Sequence, residues 1–317
     1  MSDINVTFAG LPLGSPIAIE PLGTELTLAT ARAAAEAGIG AVFAPPLDTA
    51  RLTHRQDAHE VTENNQNDDS RRESHRIVRR LNLERYLDEI TDLAREVDIP
   101  IIAPLSCDRS ADWLTLAEHV REAGAAAVEI RPSLEELSRT QRSDAIEKSV
   151  LRVTASVAGR IDIPVLVRIP AGAYGLIALV QALGESDAAA VTIRPRAGVG
   201  AIEIDTPSME TDGLTGNVRA ATFHSQLDAC RSLYRRVNPH LGLQLPPDRP
   251  HAMVEAALTG ATVGVLPVAG DDPGATAKTI DTYHTTLAGW MRHHRAESLF
   301  DVRGILSESR MTSSLEH

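Results

Sequence analysis

The sequence predicts an α/β protein, a closed (β/α)8 TIM barrel. The clearest unit is Asp98 to Arg131, where the apolar run Pro100–Leu105 ends in a polar turn. Leu114, Ala117, His119-Val120 and Ala123 then recur at roughly three-to-four spacing, which marks one face of a helix that Gly124 stops. Ala126 to Ile130 is a second apolar run. Strand, helix and strand with a short return imply a parallel pair and a right-handed crossover. The unit recurs eight times along the chain, and eight such units close most simply into a barrel. The length of 317 residues holds a barrel of ~250 residues as one domain. An open doubly wound sheet is the alternative, but no GxGxxG follows the first strand.

The elements follow in order. Val6 to Leu13 predicts a small hairpin turning at Gly10. Pro16–Glu20 is the first barrel strand. Thr24 is placed to cap an Ala-rich helix running to Gly38. Ala41–Ala44 is the second strand, closed by Pro45-Pro46. Leu47 to Arg80 is polar and breaks the rhythm; it predicts a long loop, either a surface loop or a lid over a site. Leu83–Val97 is helical, with Tyr86, Ile90 and Leu93 on one face. After the central unit come a helix at Ser143–Ala158, a fifth strand at Pro164–Ile169 and a helix at Ala173–Leu183. A sixth strand at Ala188–Ile193 leads into a Gly- and Pro-rich loop, Arg194 to Asn217. Val218–Val237 is helical, His240–Leu245 is the seventh strand, and Pro250–Leu258 is helical. Ala261–Pro267 is the eighth strand, and Thr276–Arg292 is the last long helix. The domain spans 1–308. The end, 309–317, is set aside because Leu315-Glu316-His317 resembles a vector-derived tail.

Composition narrows the function classes. Hydrophobic residues are 43% and charged residues 23%, as in ordinary globular proteins. The net charge of -12 argues against nucleic acid as the partner. No apolar run reaches the ~18 residues of a membrane span, so a cytoplasmic protein is expected. Cys107 and Cys230 predict reduced thiols. His54, His59 and His75 lack metal-ligand spacing, and no metal site is expected. His251, His293 and His294 read as solvated, and Trp290 as a packing residue of the outer helices.

Across about residues 4 to 308 the chain resembles the dihydroorotate dehydrogenase family, most closely its "dihydroorotate dehydrogenase-like" branch. The resemblance rests on Gly10-Leu11-Pro12-Leu13-Gly14-Ser15-Pro16, Tyr86-Leu87-Asp88-Glu89-Ile90 and Asp98-Ile99-Pro100-Ile101-Ile102-Ala103. It continues in Ala123-Gly124-Ala125, Val128-Glu129-Ile130, Ile163-Pro164-Val165, Trp290-Met291, Glu297-Ser298-Leu299 and Arg303-Gly304. Gly213-Leu214-Thr215-Gly216 resembles a further turn of the family. The resemblance implies a barrel holding FMN at its C-terminal face, oxidoreductase chemistry on a carbon–carbon bond beside a carboxylate, and a homodimer.

The chain departs from that pattern where the chemistry should be. The family's Lys after strand two is Pro45 here, and its Asn after strand three is Ser106. Strand four runs Glu129-Ile130-Arg131-Pro132-Ser133-Leu134, so Leu134 stands at the base position and Ser133 lies one place off. The strand-five Lys is Arg168, and the strand-six Asn is Arg194. The turn expected to hold the FMN phosphate is Leu245-Pro246-Pro247-Asp248, where two prolines remove two amide donors. Each lost charge-assisted bond costs about 1.5–3 kcal/mol, and several together cost ~10³-fold or more in affinity. The expectation is therefore no bound cofactor, with FMN as the alternative.

Strand ends face the ligand mouth in this fold. Arg131, Arg168 and Arg194 occupy three of them, and Arg196 follows. With Glu20 and Ser106 they form the candidate ligand site, for a small anion. The alternative is internal pairing with Glu20, Glu129 and Asp108, which would plug the mouth; Glu129 and Arg131 share a strand face. Cys107, Ser133 and Glu129 are the catalytic candidates, Cys107 either as an activated thiol or as packing. The expected function is a divergent member that has lost FMN and its base. It would be a pseudoenzyme, reused as a non-redox enzyme, a binder of small anions or an assembly subunit. The alternative is an FMN oxidoreductase acting on CH–CH bonds with an altered site.

Overall fold

The computed structural model describes residues 3–53, 68–107, 110–132, 143–173, 175–195, 202–203, 208–209 and 216–308. Eight parallel strands close into a barrel. In chain order they are β3 (Ile17–Pro21), β4 (Ala41–Phe43), β5 (Ile101–Leu105), β6 (Ala127–Ile130), β7 (Val165–Pro170), β8 (Ala190–Arg194), β11 (His240–Gln244) and β12 (Val263–Val268). Each pairs with its sequence neighbour, and β12 closes on β3 with Pro267 opposite Glu20. A hairpin of β1 (Val6–Phe8) and β2 (Leu11–Leu13) precedes the barrel. A two-residue antiparallel pair, β9 (Ile202–Glu203) with β10 (Ser208–Met209), follows β8.

The helices are α1 (Leu28–Glu36), α2 (Thr49–Thr53), α3 (Asp68–Glu96), α4 (Ser110–Glu122), α5 (Ser143–Ala158), α6 (Leu176–Glu185), α7 (Gly216–Leu233), α8 (Ala252–Thr259), α9 (Pro273–His293) and α10 (Leu299–Val302). They cover the outside of the barrel. Strand alternation sends Ile17, Ile19, Val128, Val167 and Val191 outward against them. Ala18, Ala41, Ala127 and Ala190 turn inward with Phe43, Ile102, Leu166 and Val265. So many alanines leave the axis underfilled, and the hairpin supplies the missing volume. Ala9 and Gly10, both at positive φ, turn the chain so that buried Phe8 enters the N-terminal end. There Phe8 packs so close to Gly242 that a Cβ on that glycine would stand 3.3 Å from the ring.

Two expectations are corrected. The first helix is capped by Thr27, whose hydroxyl accepts from the Thr30 amide, and not by Thr24. The stretch 47–80 is not one loop. Asp48 accepts the Arg51 amide at 2.7 Å to start α2, and α3 begins at Asp68. Its ends are tied to α3 and α4 by polar bonds. Arg51 bonds Glu89, Arg79 reaches Asp112 at 2.6 Å, and Asn82 donates to the Leu52 carbonyl at 3.0 Å. Whether 54–67 forms a lid lies outside the described residues.

Candidate functional site

The last inward-facing layer at the C-terminal end of the barrel is charged. Glu20 sits on β3, Glu129 on β6, Arg168 on β7, and Thr192 and Arg194 on β8, with Arg131 one residue past β6. Four of them share a level one alternation beyond the apolar layer: Glu20 follows Ala18, Glu129 follows Ala127, Arg168 follows Leu166 and Thr192 follows Ala190, while Arg131 and Arg194 stand one alternation further out. Glu129 is 0% exposed, and the Arg194 side chain is 6% exposed.

The bonds form a ring with one member left over. Arg131 touches both carboxylates, with Nη2 2.5 Å from Glu20 Oε1 and Nε 2.5 Å from Glu129 Oε2. Arg168 does the same through Nη2, at 2.6 Å from Glu20 Oε1 and 3.0 Å from Glu129 Oε2. Thr192 donates its hydroxyl to Glu129 Oε1. Arg194 reaches only Glu20 Oε2, at 2.8 Å, an approach close enough for Coulomb attraction but misaligned for a hydrogen bond. Its Nε, Nη1 and Nη2 are buried without a hydrogen-bond acceptor among the described residues, and its guanidinium stands 5.9 Å from the Phe43 ring. Among the described residues of this cluster, three cations face two anions, and the surplus positive charge falls on Arg194.

The electrostatics agree with the geometry. Burial pushes the Glu20 carboxyl up, but Arg194, Arg131 and Arg168 outweigh burial and hold it well below the usual carboxylate range. Burial opposes the ionised form of Glu129 too; Arg168, Arg131 and Arg194 again prevail and lower it. Arg168 loses to burial and regains more from Glu129 and Glu20, so it is raised. Arg194 is the exception. Burial and the like charge of Arg168 exceed its attraction to Glu20 and Glu129, and it falls to about 10.

The internal pairing anticipated for Glu20 and Glu129 is therefore present, and among the described residues it leaves Arg194 with a single carboxylate oxygen. Ser106 sits half-buried at the end of β5 with its amide on the Leu47 carbonyl at 2.8 Å. Cys107 packs against the outer apolar core. Cys230 is buried, and burial pushes its thiol up to about 12. Arg196, Asp108, Ser133 and Leu134 lie outside the described residues. Thr192 and Phe43 were not anticipated; Thr192 lies two residues before Arg194 on the same strand face, so period-two counting would find it. No group of three His, Cys, Asp or Glu that could hold a metal occurs among the described residues. Nor is any helix there long and apolar enough to cross a membrane.

The corner formed after β11 and β12 is where a flavin phosphate would rest in such a barrel. Its residues do not fit one. Pro246 and Pro247 have no amide hydrogen, the Arg249 amide turns back to the Pro246 carbonyl at 3.3 Å, and that carbonyl also accepts from Tyr283. The N-terminus of α9 starts with Pro273, and the Asp272 carboxylate already takes the Ala275 amide at 2.9 Å. Gly270 gives no opening either: a Cβ there would lie 1.9 Å from the Glu25 carbonyl oxygen. Beside this corner is a cavity of about 250 Å³, lined by Leu22, Pro195, Phe223, Gln244, Pro246 and Pro267 among others.

No family model matches this chain, and no curated protein matches it by sequence. Among solved structures it resembles a mandelate oxidase, in a single-residue mutant form, with 3,3,3-trifluoro-2,2-dihydroxypropanoic acid. The TM-score is 0.54 at 11% identity, over 96% of this chain and 81% of the other. That likeness establishes the barrel fold and, at this identity, nothing finer.

Proposed function

We propose that this barrel binds a small anion at its C-terminal mouth without FMN, as a divergent relative of the dihydroorotate dehydrogenases. It serves as a binding or assembly subunit or a non-redox enzyme. The surplus guanidinium of Arg194 carries this reading. A buried charge with unsatisfied donors is costly unless a partner arrives, and a bidentate anion supplies that partner. The proline-rich corner supports the second half of the reading, because a phosphate group would meet carbonyl and carboxylate oxygens there instead of amides. Arg168 and Arg194 hold their protons too firmly to act as general bases near neutrality. Glu20 and Glu129 are held as carboxylates by their arginines, so neither donates a proton.

The test has two arms. Dihydroorotate oxidation by the purified protein is expected to stay at background with FMN added; turnover in the ordinary ~1–10³ s⁻¹ range contradicts the proposal. Titration with small carboxylates is expected to raise the melting temperature of the wild type and not of Arg194→Met. Equal behaviour of the two proteins contradicts an anion site at Arg194.

A further inference from the structure

The N-terminal face of the barrel carries a cleft of about 560 Å³, within the ~300–1,000 Å³ range of small-molecule sites. Ligands of such barrels sit at the opposite face, so no role described above uses it. Three separate pieces of chain wall the cleft: the hairpin at Asn5–Thr7 and Pro12–Gly14, the first residue of β11, and the segment Ser298–Arg303. Two of the lining residues, His240 and Arg303, are half-buried. Arg303 Nη1 donates to Thr262 Oγ1 at 3.1 Å, and its Nε is closed off without an acceptor. Its Nη2 is neither closed off nor bonded, and no carboxylate pairs with the guanidinium, among the described residues. Asp3 in the same cleft and Asp301 in the same segment are already engaged. Asp3 Oδ1 takes the Asn5 amide and Asp301 Oδ2 the Ser298 amide, each at 3.0 Å. His240 Nδ1 accepts the Ala9 amide at 3.0 Å, so the neutral ring carries its hydrogen on Nε2. Burial and then the Arg303 charge push the His240 pKa below the ordinary 6.5, which keeps the ring neutral at neutral pH. Phe300, its ring 5.5 Å from the Arg303 guanidinium, is 72% exposed, the most open large apolar side chain among the described residues.

We infer that this cleft is a second ligand site, separate from the mouth, for an organic monocarboxylate whose apolar body clamps the hairpin to the segment Ser298–Arg303. The carboxylate takes Arg303 Nη2 and the His240 Nε2 hydrogen, and the body covers Val6, Pro12 and Phe300. Charge selects a monoanion. His240 has to stay neutral to hold the Ala9 amide, so Arg303 is the one fixed cation among the described residues of the cleft. Asp3 is exposed, and water screens it more than it screens half-buried Arg303; it weighs further against a dianion such as a phosphate monoester. The donors are held in place before a ligand arrives. The Arg303 amide bonds the Leu299 carbonyl at 3.1 Å, and Gly304, at positive φ, bonds the Ala257 carbonyl at 2.8 Å. Little freedom is then lost on binding. Covering the Phe300 ring is favourable in proportion to the area removed from water. Because the walls come from distant parts of the chain, an occupant that touches all three stabilises their packing.

Hydrogen exchange at the Ala9 amide of the full chain tests this, at fixed pH, with phenylacetate, acetate, phenylacetamide and phenyl phosphate as probes. Each affinity is read from the slowing of Ala9 exchange against probe concentration, a readout local to the hairpin. Phenylacetate is expected to slow it at concentrations at least about tenfold lower than the other three. Phe300→Asp replaces an exposed side chain and sets a like charge in the cleft; it is expected to weaken phenylacetate at least about tenfold. Arg303→Met is expected to do the same, and Arg194→Met, at the mouth, is expected to leave the slowing unchanged. If phenylacetate never slows Ala9 exchange, the cleft is not a site, whatever binds at the mouth. If Arg194→Met abolishes the slowing, the binding belongs to the mouth and the cleft proposal falls while the mouth reading stands. Wild-type affinity in Phe300→Asp or in Arg303→Met overturns the proposal. Equal affinity for phenylacetamide overturns the role given to the charge, and equal affinity for phenyl phosphate overturns the choice of a monoanion.

Discussion

The mouth of this barrel turns on the difference between Arg194 and the two arginines beside it. Arg131 and Arg168 each bridge both glutamates, whereas Arg194 sits against one oxygen with no hydrogen-bond acceptor among the described residues. Its pKa falls to about 10, so it keeps its charge at neutral pH at a cost to the fold. Arg194→Met should therefore stabilise the ligand-free protein, by about 1–3 kcal/mol, while removing anion binding. Glu20→Gln should do the opposite, because three guanidinium groups would face one carboxylate; a loss of about 3–5 kcal/mol is expected. Chemical denaturation of the two variants checks both signs. The glutamates also fix an acid dependence. Their folded pKa values are depressed, so their stabilisation is complete above the unfolded value of about 4.3. It is lost as the pH falls toward the folded values. The stability gap between wild type and Glu20→Gln should narrow below about pH 4, as thermal melts across pH would show.

At the scale of elements, the hairpin β1–β2 acts as the barrel's lower plug. Phe8→Ala should cost about 3–5 kcal/mol, since the alanines around it cannot close over the gap. The hairpin is also pinned by the Ala9 amide, which donates to His240 Nδ1 at 3.0 Å and so requires that nitrogen unprotonated. Burial, then Arg303, pushes the His240 pKa below its ordinary 6.5. The unfolded chain therefore takes up the proton first, and stability present above about 6.5 declines as the pH drops. Hydrogen-exchange protection at Ala9, taken relative to the intrinsic rate at each pH, should fall between neutral and mildly acid pH, and unchanged protection would show that the hairpin does not depend on this bond. The eight strands and this hairpin were legible in the sequence because buried parallel strands are short apolar runs with sharp ends. The helical start at Asp68 was not, because α3 draws on ion pairs such as Arg79–Asp112, which leave no apolar periodicity. The candidate site was legible as three strand-end arginines. Which of them bridges only one carboxylate was not, since that depends on the register of β3, β6, β7 and β8.

For the molecule as a whole, the barrel has Phe8 packed into one end and, at the other, a cluster that is net-positive among the described residues inside a chain of net charge -12. On the proposed reading, that contrast favours a small anion at the mouth over the rest of a chain of net negative charge. Light scattering is expected to give twice the chain mass, in keeping with the proposed relatives; a monomer would remove that part of the resemblance. The central claim is that the mouth takes a small anion and no flavin. Its most direct measurement is the absorption spectrum of the purified protein after incubation with excess FMN and desalting. A colourless protein is the expected result, and a stoichiometric yellow flavin band retained by the folded chain would contradict the account.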